Sequence, residues 1–305
     1  MSFPVLASTF ANNILPILLL GGAGFSLGKL LHIDSRSLGR VVFYIFSPVL
    51  IFNLLLQNRL NLSEAIGVIS LTLCTVTIMG ALTWLLGTWF HLERPVLTSI
   101  LITTMFANTG NYGLPLVSFA FGEKALSYAG IYFVTTTFLF YTVGVLIASL
   151  GHMSPKEAIV GLLKIPTMYA VLLAILINAL SIQIPAPLDR TIQLAAGGTI
   201  PLMLILLGVE LTRVELSGSL RAMQVSVVLR LLIAPVIALI LAGLFGIQGF
   251  ARQGSVTEAS MPSMVSATVL ATEYQLDSKL ITAIIFISTL LSPLTLTPLL
   301  VFLGR

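Results

Sequence analysis

Apolar runs of about twenty residues, parted by short polar stretches, recur along the whole chain. A helix crossing the ~30 Å hydrocarbon core of a bilayer needs roughly 20 such residues. On that scale the pattern predicts spans at 10–31, 38–56, 65–89, 95–121, 125–150, 161–180, 188–211, 222–244, 250–272 and 279–303. The connections are short and leave no room for a soluble domain. The fourth and ninth runs differ from the rest, because polar residues and proline interrupt them.

Composition agrees with lipid as the solvent. Of 305 residues, 57% are hydrophobic and 9% charged, with a mean hydropathy of +1.06. A soluble domain carries about 25% charged residues to wet its surface. The net charge of +4 comes from Lys and Arg scattered singly between apolar runs, so no basic stripe offers itself to nucleic acid. The single cysteine, Cys74, sits in an apolar run, which excludes an intramolecular disulfide and a cysteine-based metal site. The segment Met1 to Asn13 lacks a positively charged leader region, so the first apolar run is read as a permanent span.

Loop charge sets the expected orientation. Loops after odd-numbered spans hold Lys29, Arg36, Arg40, Arg94, Lys156, Lys164, Arg213, Arg221 and Lys279. Those after even-numbered spans, with the C-terminus, hold Arg59, Lys124, Arg190, Arg252 and Arg305. The bias predicts odd loops in the cytoplasm and both termini on the non-cytoplasmic side of the cell membrane.

The two interrupted runs carry the functional signal. Asn-Tyr-Gly-Leu-Pro-Leu at 111–116 lies in the fourth span, and Glu-Ala-Ser-Met-Pro-Ser at 258–263 in the ninth. Each is fourth in a set of five, and each precedes a short charged turn, Gly122-Glu123-Lys124 or Asp277-Ser278-Lys279. Five spans per copy would turn the second copy upside down, and matched breaks in inverted halves point to a transporter's binding site. Pro115 and Pro262 donate no backbone hydrogen bond. In hydrocarbon a freed backbone group costs several kcal/mol, so such breaks survive where they line a cavity or pack on one another. An ordinary proline kink is the plainer alternative. Against it stand Asn108, Thr109, Gly110, Asn111 and Gly113 ahead of Pro115, and Glu258, Ser260 and Ser263 around Pro262, too polar a set to face lipid.

At these residues the chain resembles the auxin efflux carrier family. The resemblance rests on Asn108 through Leu116, on Ile200-Pro201-Leu202 with Leu207-Gly208, and on Met261-Pro262 followed by Ala271-Thr272-Glu273-Tyr274. Ile14-Leu15-Pro16 and Phe46 through Phe52 extend it along nearly the whole chain. It implies an all-α integral membrane fold of ten transmembrane helices, in two inverted five-helix repeats at 1–150 and 151–305. Helices four and nine would be broken and cross, as in bile-acid-symporter-like folds. Spans 1, 2, 6 and 7 would form a scaffold, spans 3–5 and 8–10 a transport domain, and the scaffold would pair two copies as a homodimer. The family's plant members carry a second proline where Ala267 stands here, and an ionisable pair in the third span, where the run from Ala65 to Trp89 has no charge.

The expected substrate ligands are Asn108 and Asn111, whose amides offer donors and acceptors to a carboxylate, with Thr109, Gly110 and Ser263 beside them and Pro115 and Pro262 shaping the breaks. Bonding freed backbone carbonyls is the alternative role for either asparagine. Arg230 lies inside the eighth span, where a planar guanidinium suits a substrate carboxylate, or snorkels to the interface or joins an ion pair. Glu258 is the acidic residue placed to carry a coupling proton, or to pair with Arg230 or Arg252. Glu210 and Glu273 are read as interfacial. His32, His91 and His152 fall in loops without ligand spacing, so no metal is expected, and no cofactor is implied. No phosphate-binding loop suggests ATP hydrolysis. Asp34, Asp189 and Asp277 all fall in loops, which leaves no intramembrane protease constellation. The expectation is a secondary transporter of a small organic anion, a mono- or dicarboxylate resembling auxin, malonate or malate, with proton coupling favoured over sodium. A channel-like pore and a non-transporting receptor are the alternatives.

Overall fold

A computed structural model describes residues 2–58, 61–149, 163, 165–212, 214 and 218–304. The boundary expected at 150/151, His152, the start of the run 161–180 and the basic residues Arg59, Lys156, Lys164, Arg213 and Arg305 lie outside them. Among the described residues the fold is all-helical, with one isolated antiparallel bridge and no strand. Seven helices among the described residues are long and apolar enough to cross a membrane.

In chain order the elements are α1 (Phe3–Leu30), α2 (Ser35–Gln57), α3 (Leu62–Trp89), α4 (Arg94–Met105) and α5 (Thr109–Ala148). Then follow α6 (Pro166–Ala179), α7 (Ala186–Leu211), α8 (Leu220–Leu244), α9 (Gly249–Ala259), α10 (Ala267–Glu273) and α11 (Ser278–Leu303). Short polar side chains start several of them. Asp34 accepts from the amides of Arg36 and Ser37, Asn61 from Ser63, Ser219 from Ala222 and Asp277 from Leu280. Each satisfies a donor that the first helical turn leaves open. His32, His91, Ser181 and Gln275 adopt a positive φ just past the ends of α1, α3, α6 and α10, the left-handed turn that closes many helices.

Proline leaves a regular mark on these helices. Four of the five π-helical turns, Phe10–Ile14, Val42–Phe46, Thr109–Gly113 and Leu229–Ile233, end two residues before Pro16, Pro48, Pro115 or Pro235. A proline ring collides with the carbonyl four residues back and supplies no N–H to it. Widening the preceding turn relieves that collision without ending the helix.

The helix starts and stops differ from the sequence expectation at the start of α3 and at the first interruption, whereas Gly122 falls in the charged turn expected between the fourth and fifth runs. α3 begins at Leu62, so its first turn includes Glu64, to which the Tyr128 hydroxyl donates a hydrogen bond. Gly122, at φ 74° and ψ −169°, splits α5 into arms 109–121 and 123–148. The fourth run breaks at residues 106–108, ahead of Pro115, whereas residues 260–266 around Pro262 interrupt the ninth. Pro115 is accommodated by its π-turn, so it stays inside a helix.

Packing sorts the helices into two groups. α1 lies along α7, while α2 packs on α6 and α7. α3, α4, α5, α8, α9 and α11 pack mainly among themselves. The α1–α7 contact is backbone on backbone. A Cβ placed on Gly208 would overlap the carbonyl of Gly21 and the amide of Phe25, and one on Gly24 would overlap the carbonyl of Ile205. In lipid, small residues of this kind hold helices together by close approach. The second group adds hydroxyl bonds between helices: Thr83 with Thr104 at 2.7 Å, Thr103 with Ser226 at 3.0 Å, and Ser292 to Tyr112 at 3.1 Å.

Candidate functional site

The two interruptions meet. The Asn108 amide donates to the carbonyl of Pro262 at 2.8 Å, and the Met264 amide donates to the carbonyl of Phe106 at 3.0 Å. Ala107 and Ser263 form the antiparallel bridge between them. Backbone left open by one break is thereby satisfied by the other, as a low-dielectric interior demands.

A cavity of about 1330 Å³ ends at this junction. Asn108, Gly110 and Asn111 line it from the first break, and Met264, Val265 and Ser266 from the second. Phe133, Thr137 and Tyr141 of the second α5 arm form another wall. Its outer rim includes Arg36 and Arg40 at the start of α2, Ser149 after α5, Val214 after α7, Tyr274 after α10 and Ser278 at the start of α11. All four connections follow odd-numbered runs of the sequence. Among the described residues, none from the α2–α3, α6–α7 or α8–α9 connections, nor Gly122, lines it.

Polar atoms around the junction are deeply buried and poorly matched. Asn108 uses its backbone twice, since its carbonyl also accepts from Gly113 at 3.0 Å, but its side-chain Nδ2 has no partner. The hydroxyls of Thr109 and Ser263 are also buried without partners, although the Ser263 amide donates to Ser288 Oγ at 3.2 Å. Buried polar atoms are nearly always bonded, so each exception asks for a reason. Asn111 is half-buried, and its Nδ2 donates to Glu210 Oε2 at 3.2 Å.

Glu258 is 0% exposed, and neither carboxyl oxygen has a hydrogen-bond partner. It projects from α9 onto Gly113, where even a methyl group would collide with the carboxylate. No hydrogen bond joins it to Arg230 or Arg252; the Arg252 guanidinium lies over the Phe302 ring instead. Arg230 is 1% exposed and bonds three backbone carbonyls, with Nε to Met261 at 2.7 Å, Nη1 to Thr104 at 3.0 Å, and Nη2 to Ala259. It neither snorkels nor lines the cavity.

Of the residues singled out from the sequence, Asn108, Gly110 and Asn111 line the cavity, whereas Thr109, Pro115, Glu258, Pro262, Ser263 and Arg230 do not. Glu210 and Glu273, expected at the interface, both line the cavity. Sequence pattern placed them near helix ends correctly, but a helix end that opens into a cavity reads the same as one that opens into bulk water. The aromatic wall of Phe133 and Tyr141 had no signal at all, being apolar in an apolar run.

Comparison with known proteins fits this geometry. Residues 9–157 and 151–300 match the family model described as membrane transport protein, that of the auxin efflux carriers. The chain belongs to this family. An uncharacterized transporter of Methanothermobacter thermautotrophicus is 30% identical over 286 residues, covering 93% of this chain and 94% of the relative. An uncharacterized transporter of Methanocaldococcus jannaschii is 27% identical over 292 residues, with the same shares covered. This member of the family is thus a multi-pass membrane protein related to transporters along almost its full length.

Proposed function

We propose that the protein is a secondary carrier of a small organic anion, a mono- or dicarboxylate of the auxin, malonate or malate kind, working by alternating access. The observation that carries this reading is the cavity that opens past odd-numbered connections only and ends at the paired breaks, with the side-chain Nδ2 of Asn108 unpartnered beside it. An amide and the first turn of α5 together suit a carboxylate, since helix N-termini hold about half a positive charge. The one-ended cavity favours a carrier over a continuous pore.

In this reading the chain forms ten spans in two inverted five-helix repeats, 1–150 and 151–305. α1, α2, α6 and α7 make the scaffold that pairs two copies, and the remaining helices carry the site past it. Both termini lie outside the cytoplasm, so the cavity is the cytoplasm-facing state. Glu258 carries the coupling proton, which is how an unpartnered carboxyl is tolerated out of water. Sodium is the weaker candidate for coupling, and no cofactor takes part.

Thermal unfolding of the purified protein with malonate, malate, indole acetate and neutral amino acids tests the substrate class. Ligand binding to the native state alone raises apparent stability by RT ln(1 + [L]/Kd). One carboxylate should raise the melting temperature, and Asn111→Ala, still folded, should abolish the shift. Stabilisation by neutral compounds alone would overturn the anion assignment. Counterflow of the stabilising anion in proteoliposomes separates carrier from pore, and Glu258→Gln should abolish the accompanying proton movement.

A further inference from the structure

Backbone accounting at the junction assigns Arg230 a definite task. In a continuous α-helix the carbonyl of Thr104 would accept from the amide of residue 108, four residues on. That amide is committed to Pro262. The carbonyl of Ala259 would likewise accept from the amide of residue 263, which is committed to Ser288. Breaking the two helices and crossing them therefore strands a carbonyl at the end of α4 and another at the end of α9. Arg230 donates to both, and to Met261 as well.

Chemistry explains why arginine serves here. The guanidinium is planar, permanently charged and carries five N–H donors in a fixed fork. It can reach carbonyls from two separate chain segments at once, which one ammonium does less well. Both stranded carbonyls sit at helix C-termini, where the aligned peptide dipoles sum to about half a negative charge. A positive charge between two such ends is stabilised by both. The π-turn Leu229–Ile233 ahead of Pro235 shifts the register of α8 where Arg230 emerges.

We propose that these three carbonyls form a built guanidinium site, and that Arg230, as its tethered occupant, is a positioning residue locking the two breaks into one unit. It touches no cavity space, and so acts through Asn108 and Met264, whose amide bonds hold the junction closed. The proposal holds whatever the carried solute is.

The test is amide hydrogen exchange at 105–114 and 259–267 in the full-length protein in detergent, with Arg230→Ala and Arg230→Lys. Arg230→Ala should speed exchange of the Asn108 and Met264 amides by about tenfold or more, the scale of one lost charge-assisted bond. Millimolar methylguanidinium should enter the vacated site and slow exchange again, and methylammonium or urea at equal concentration should not. Arg230→Lys should fall between wild type and alanine without added ligand. Unchanged exchange in Arg230→Ala overturns the proposal. Faster exchange that methylguanidinium leaves untouched does so too, because a general packing defect has no guanidinium site to refill. If the alanine variant does not fold, Arg230→Lys decides: wild-type exchange there refutes the need for the fork, and selectively faster exchange at the two breaks supports it.

Discussion

The α1–α7 contact and the crossing of the two breaks solve opposite problems in the same lipid. Along α1 and α7, glycines bring two backbones together, with Gly24 and Gly208 leaving no gap for a side chain. Intact helices satisfy their own backbone, so close approach adds dispersion and costs no hydrogen bond. At the crossing, helices are interrupted, backbone is repaired across the break, and side-chain atoms of Asn108, Thr109, Glu258 and Ser263 remain buried without partners. The first arrangement gives a fixed surface. The second keeps polar atoms out of water, and costs stability that a purely structural contact would not. Such a cost at one place and tight packing at another is what the proposed scaffold and site-bearing helices require.

The largest test of that contrast is Gly208→Leu. Its side chain would overlap backbone atoms of α1 that have nowhere to go. A loss of about 3 kcal/mol or more is expected, overpacking at its severe end, seen as a collapse of folded yield and melting temperature. A mild effect would show that α1 and α7 can separate, and that they are no rigid framework.

Next comes Gly113→Ala, which drives a methyl group into the Glu258 carboxylate. A cost of about 1–3 kcal/mol is expected. Nearly all of it should vanish when Glu258→Ala is made as well, a coupling visible in a double-mutant cycle. Additive effects would mean the carboxyl moves away freely.

The contrast also predicts a change of sign. Glu258→Leu removes two unpartnered buried oxygens and should leave stability unchanged or raise it by about 1–3 kcal/mol, while abolishing transport in proteoliposomes. A clear destabilisation would show that the carboxyl has a structural partner.

The smallest effect compares two threonines. Thr109→Val deletes an unpartnered hydroxyl and should stabilise by about 1 kcal/mol, whereas Thr83→Val deletes the partner of Thr104 and should destabilise by about as much. Equal signs in thermal unfolding would erase the distinction between orphaned and bonded polar atoms.

Much of this organisation was legible in the chain itself. Hydropathy located the helices, since an apolar run of span length has few other fates. The polar residues near Pro115 and Pro262 marked both interruptions. The first one, though, opens at 106–108, because a π-turn lets Pro115 stay helical. Proline's effect on its own helix is local and readable; the choice between widening a turn and ending the helix depends on what waits to bond the freed groups.

Partners at long range were decided only by the tertiary structure. Asn111 meets Glu210 across 99 positions, and Arg230 reaches Thr104 across 126. Arg230 was legible as an unusual charge in an apolar run, but not as the donor for two stranded helix ends, since that requires knowing where the amides of Asn108 and Ser263 go. The sequence by itself determined which segments are helical, which two runs are interrupted and which side chains are too polar for lipid, because those follow from transfer into hydrocarbon and from the proline ring. Which break faces which, and which buried atoms are left without partners, arose only when the helices packed, because a hydrogen bond needs two groups at one point in space and the chain lists them far apart.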